Sequence, residues 1–156
     1  MENQNVRIVT LPGMKVASFY AFNASPELEA RQKMEDWAKL HDIPIQSPAT
    51  RVFGFNNPDP TSGSPNYGYE VWLTLDSDVQ PNTDDKIKQF SGGLYAVLRC
   101  DVNDDPWEVI PARWGELVKW FEASHYKHGN HQWLEEHLTH LSSTDFVLDL
   151  YLPIAE

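Results

Sequence analysis

Two stretches of this chain recur at one spacing, and that recurrence limits the possible folds more than any single motif does. Shifted by 79 positions, residues 15–23 fall on residues 94–102, residues 67–73 fall on residues 146–152, and Ile8 with Gly13 falls on Ile87 with Gly92. The second pairing matches Glu70 to Asp149 and Trp72 to Tyr151. We read an internal duplication with halves at 1–78 and 83–156, joined by the polar, acidic stretch from Asp76 to Asp85.

The repeated runs alternate as strands do. Gly68 to Leu75 reads Gly-Tyr-Glu-Val-Trp-Leu-Thr-Leu. Period two puts Tyr69, Val71, Leu73 and Leu75 on one face, and Glu70, Trp72 and Thr74 on the other. Leu148, Leu150 and Leu152 likewise oppose Asp149 and Tyr151. In the earlier strand of each half, Ala17, Phe19 and Ala21, with Ala96, Leu98 and Cys100, form the apolar side, leaving Tyr20, Tyr95 and Arg99 on the other.

The intervening segments supply the rest. Val6 to Thr10 and Met14 to Phe22, separated by Leu11-Pro12-Gly13, predict an opening hairpin. Ser25-Pro26-Glu27 predicts an N-cap, a proline at the first helical position and an acid in the first turn. Ala30, Met34, Trp37, Ala38 and His41 follow at helical spacing, so Trp37 is read as core. Arg51 to Asn56 is a strand containing Gly54. A second helix from about Ile110 to Ala123 carries Ile110, Trp114, Leu117, Val118 and Phe121 as its stripe, with Pro111 in its first turn. Gln132 to Thr139 is helical by propensity, but the repeat requires a strand there. We assign a strand, with Trp133, Glu135 and His137 on one face and Leu134, Glu136 and Leu138 on the other. The expected fold class is α+β: pseudo-two-fold duplicated ββαββ halves, antiparallel sheets with helices on one side, and a ligand cleft between the halves.

Charge narrows the partners. Twelve basic residues face 23 acidic ones, a formal net charge of −11. That balance argues against nucleic acid, whose phosphates are bound through Lys and Arg, and suits a cationic partner. Cys100 is the sole cysteine, which excludes an internal disulfide and a cysteine zinc site. No stretch is apolar and long enough to span a membrane, and residues 1–5 lack signal-peptide character; a cytoplasmic location is expected. His125, His128, His131, His137 and His140 lack the His-Glu-x-x-His spacing, so no metal is expected. No phosphate-binding loop or nucleophile elbow appears, and no cofactor is implied.

Several pieces in order carry a family resemblance: Val-Phe-Gly-Phe before Asn-Pro-Asp-Pro, Gly-Tyr-Glu-Val-Trp, Gly-Gly-Leu-Tyr-Ala-Val, Ile-Pro-Ala-Arg-Trp-Gly-Glu-Leu, Trp-Leu-Glu-Glu-His, and the closing Leu-Asp-Leu-Tyr-Leu-Pro-Ile. The chain resembles the GyrI-like small-molecule-binding family, which includes the effector-binding domains of multidrug-sensing and AraC-type regulators. The resemblance implies a stand-alone domain that takes lipophilic, often cationic compounds between its halves, against a buried acid amid aromatics. The matching acid here is Glu70, with Glu135 second. DNA-binding relatives carry a helix-turn-helix region that does not precede the opening strands here, so no direct nucleic-acid binding is expected.

Aromatic faces attract a delocalised cation and a desolvated carboxylate complements its charge, so the expected ligand-binding set is Glu70, Trp72, Tyr95, Trp114, Glu135 and Tyr151. Tyr20, Phe55, Trp107, Trp133, His137 and Asp149 follow. Trp114 also suits the helix core. Arg99 is the candidate counter-ion for Glu70 or Asp149. Two other functions fit the same residues. One is a hydrolase of small electrophiles, with Glu70 or Glu135 as general base and Tyr95 as hydrogen-bond donor. The other is a protein-interaction role, such as gyrase inhibition, with an unknown protein partner.

Overall fold

Alternating runs form strands where the periodicity places them, but their pairing departs from chain order. The computed structural model of the protein describes residues 5–45, 47, 49–57, 59–75, 86–140 and 145–156; the linker expected at Asp76 to Asp85 lies outside these. In chain order the elements are β1 (Arg7–Leu11), β2 (Met14–Asn23), α1 (Pro26–Leu40), β3 (Val52–Asn56), β4 (Tyr67–Leu75), β5 (Ile87–Phe90), β6 (Gly93–Val102), α2 (Pro106–Ala123), β7 (Lys127–His128), β8 (Leu134–His137) and β9 (Phe146–Ala155). Two compact units result. One is continuous, Gly13–Phe90, and the other is composite, Met1–Pro12 with Ser91–Glu156.

The expected opening hairpin does not form. β1 pairs antiparallel with β6, from Arg7 opposite Val97 to Leu11 opposite Gly93, and the place beside β2 is taken by β5, with Met14 opposite Phe90. Each edge strand is thus exchanged. The links that make the exchange pack against each other at Gly92, where φ is +78° and a Cβ would lie 2.3 Å from the Leu11 carbonyl oxygen. Only glycine suits that backbone at that spacing.

Within the continuous unit the antiparallel order is β3-β4-β2-β5. α1 covers one face, and Ala30, Met34, Trp37 and Ala38 meet Ala17, Phe19, Ala21, Val52, Tyr69, Val71 and Leu73 in one core. Gly54 belongs to this face, because a Cβ there would meet the Tyr69 hydroxyl oxygen at 2.2 Å. The composite unit repeats the plan as β1-β6-β9-β8, with β7 also on β9. Leu117 and Phe121 of α2 pack on Ala96, Leu98, Cys100, Leu148, Leu150 and Leu152. A fully buried leucine such as Leu117 contributes about 1.5–3 kcal/mol relative to exposure. The protein is α+β, with antiparallel strands and each helix on one sheet face.

The helix starts refine the sequence reading. Ser25 sits at the N-cap of α1, but its hydroxyl makes no capping bond; its amide instead donates to Asn23 Oδ1 at 2.7 Å. α2 begins four residues before the expected Ile110, because Asp105 accepts from the Trp107 amide and Pro106 takes the first helical position. Pro111 therefore lies inside the helix. At Leu134–His137 the strand forms against the helical propensity. Among the described residues no helix is long and apolar enough to cross a membrane.

Candidate functional site

The sheet face turned away from the helix carries a buried acid in each unit. In the continuous unit it is Glu70 on β4, 6% exposed. Its cross-strand neighbours are Tyr20 on β2 and Phe55 on β3, so all three side chains share a face with Trp72. Phe55 meets the Trp72 ring edge-on at 5.0 Å and Phe90 meets it tilted at 5.3 Å. Trp72 and Phe55 are buried, while Tyr20 is exposed.

Glu70 is fully partnered. Its Oε2 accepts from the Ser18 hydroxyl at 2.5 Å, from Trp72 Nε1 at 2.8 Å and from Lys88 Nζ at 2.8 Å. Asn57 Nδ2 donates to Oε1 at 3.4 Å. Burial pushes the carboxyl up, but hydrogen bonds from Lys88, Ser18 and Trp72, with the Lys88 charge, outweigh it and hold the group below its ordinary value. Glu70 is a carboxylate with its own cation. That cation is Lys88, not Arg99.

The composite unit uses the same register with other chemistry. Val97 opposes Tyr151 on β6 and β9, as Ser18 opposes Trp72 on β2 and β4. Asp149 stands at the position of Glu70. Arg7 Nη2 of the edge strand reaches its Oδ2 at 2.8 Å, but the buried Oδ1 has no hydrogen-bond partner among the described residues. Valine has no hydroxyl to offer at 97, and the Tyr151 phenol donates to Glu136 Oε1 at 2.7 Å instead. Arg99, opposite Asp149 in register, is paired with Asp101 at 3.0 Å and is exposed.

Glu136 makes the difference larger. It is the cross-strand neighbour of Asp149, where the continuous unit has Phe55 beside Glu70, and both acids are buried. Facing residues on adjacent antiparallel strands have Cβ atoms about 4.5–5.5 Å apart, and like charges there repel. This face therefore places two buried acids side by side, with Arg7 on Asp149. Around them, Tyr95 meets Tyr151 edge-on at 5.3 Å and His131 at 4.7 Å. The Tyr95 hydroxyl donates to the Gln132 carbonyl, and burial holds its pKa above the ordinary value.

The remaining expected site residues fall elsewhere in the composite unit. Glu135 and His137 oppose Leu150 and Leu148, on the helix side of the sheet. There Trp114 Nε1 donates to Glu135 Oε2 at 3.1 Å, and Trp133 packs tilted on Trp114 at 5.5 Å. Trp107 is exposed in the first turn of α2. Tyr95 and Glu135 thus lie on opposite faces, so the acid and donor named for hydrolysis are not brought together there. Sequence reasoning passed over Ser18, Lys88, Arg7 and Glu136. Ser18 was legible, since alternation puts it with Tyr20.

Comparison with known proteins agrees with this architecture. A family model for the integron-associated effector-binding protein matches residues 7–154. An integron cassette protein from the mobile metagenome of Vibrio cholerae has the same fold, at a TM-score of 0.51 and 14% identity over 96% of this chain and 95% of that one. The C-terminal domain of EcmrR superposes at 0.68 with 12% identity, covering 97% and 98% of the two chains. SAV2435 bound to tetraphenylphosphonium superposes at 0.60 with 10% identity, covering 96% and 93%. No match to a curated protein sequence is found. With nearly its whole length matched, the chain belongs to the integron-associated effector-binding proteins, a GyrI-like family.

Proposed function

We propose that this protein binds hydrophobic, cationic aromatic small molecules, as a sensor or sequestering domain, and that the composite unit supplies the charge. The observation that carries the reading is Asp149 Oδ1: a buried carboxylate oxygen with no hydrogen-bond partner among the described residues, beside the buried carboxylate of Glu136. An organic cation seated there would satisfy the free oxygen of Asp149 and present its apolar surface to Tyr151 and Tyr95. The family assignment supports an effector-binding role, and the relative SAV2435 holds a lipophilic cation.

Titration followed by tryptophan fluorescence tests it. Tetraphenylphosphonium is expected to bind with about micromolar affinity and tetraphenylborate, of the same shape and opposite charge, at least about tenfold more weakly. Equal affinity for the two ions would overturn the reading.

A further inference from the structure

The Glu70 face has the parts of a cation site, a buried carboxylate against Trp72 with Phe55 and Phe90 around the indole, yet the chain itself fills it. Lys88 lies on the edge strand opposite Val16, and its side chain crosses β2 to place Nζ 2.8 Å from Glu70 Oε2. Half of that side chain is exposed, 52%, while Glu70 keeps only 7% of its side-chain surface. The ammonium thus arrives from solvent and ends on a buried acid, the approach a free amine would take.

Arg7 makes the corresponding crossing over β6 to Asp149, but from a non-equivalent position. The 79-residue counterparts of Arg7 and Lys88 are Lys86 and Val9. The two edge-strand cations therefore stand at non-equivalent positions of their strands. In the continuous unit Lys88 meets a fully hydrogen-bonded acid; in the composite unit Arg7 meets an acid whose Oδ1 has no hydrogen-bond partner among the described residues.

We infer that Lys88 is a specificity-determining residue: its ammonium stands in for an alkylammonium ligand on Glu70 and closes a second cation site, leaving Asp149 as the open acid. This deepens the cation-binding reading and rests on it. Truncation to alanine would remove the equivalent of propylammonium from a site whose carboxylate, indole N–H and hydroxyl remain in place.

Rescue with that missing piece is the test. Lys88→Ala is expected to melt below wild type, and n-propylammonium to raise its melting temperature saturably, by about 3–6 °C. n-Propanol should not do so, wild type should move by less than about 1 °C with the amine, and Lys88→Ala/Glu70→Gln should not respond. Lys88→Met, which keeps the stem and removes the charge, covers the case in which the alanine variant does not fold; methylammonium is the amine for it. An amine effect equal in wild type and variant, equal rescue by the alcohol, or no rescue overturns the inference. Tetraphenylphosphonium affinity of Lys88→Ala should stay within about twofold of wild type, so failure of tetraphenylphosphonium to bind wild type would count against the proposed function while leaving amine rescue readable.

Discussion

Glu70 and Asp149 occupy the same register in two units built to the same plan, yet one is satisfied and the other is not. Glu70 accepts from a hydroxyl, an indole, an ammonium and an amide. Asp149 accepts from the Arg7 guanidinium and, among the described residues, keeps a buried oxygen without a hydrogen-bond partner. Three substitutions between the units account for this. Ser18 becomes Val97, Trp72 becomes a tyrosine whose phenol turns to Glu136, and Phe55 gives way to Glu136 itself. A buried charge stabilises a fold only when its partners are complete, so the complete acid reads as structure and the incomplete one as a place for a ligand.

The largest expected effect should separate the two acids by stability. Glu70→Ala leaves the Trp72 N–H and Ser18 hydroxyl without their acceptor, and should cost about 3–5 kcal/mol in chemical denaturation. Asp149→Ala should cost less than about 2 kcal/mol, since Arg7 is half-exposed and returns to water. Equal losses would break the comparison.

Acid should act through Glu70 in a defined direction. Its folded pKa lies below the unfolded value of 4.5, so its contribution is fully present above that pH and is lost as pH falls through the folded value. Glu70→Gln should flatten the stability profile below pH 4.5. An unchanged acid limb would mean the carboxylate is not held as described.

A smaller change sharpens the role of a single donor. Ser18→Ala removes one hydrogen bond to a carboxylate and should cost about 1–2 kcal/mol by thermal or urea unfolding. No loss would place the weight on Lys88 and Trp72 instead.

The smallest effect is expected on the helix side. Cys100 stands where the continuous unit has Ala21, and both are buried in their unit's core. Cys100→Ala should cost no more than about 1 kcal/mol. Burial pushes the Cys100 thiol up to about 11, so iodoacetamide at pH 8 should leave the native protein unmodified and label it after unfolding.

Much of this was legible in the residues, for local reasons. Period-two alternation assigned the helix-side faces, and Leu148, Leu150 and Leu152 do pack under α2. The repeat also overrode the helical propensity of Leu134–His137. Pairing between distant strands was not legible. Arg7 precedes β2 in sequence and local reading pairs the two, so the edge-strand exchange hides its ion pair with Asp149. Alternation points to Arg99 instead, because it shares a strand face with Tyr95, but Asp101 two residues on holds it. On β8 the family resemblance points to Glu135, and alternation puts Trp133 and His137 on its face, whereas register with β9 puts Glu136 beside Asp149 and Glu135 opposite Leu150.

One titration tests most directly whether the incomplete acid is the functional one: tetraphenylphosphonium affinity, measured calorimetrically, for wild type, Asp149→Asn, Glu136→Gln and Glu70→Gln. Loss of about tenfold or more in each of the first two variants, with Glu70→Gln within about twofold of wild type, is the predicted result. Loss in Glu70→Gln alone, with Asp149→Asn and Glu136→Gln unchanged, would contradict the account.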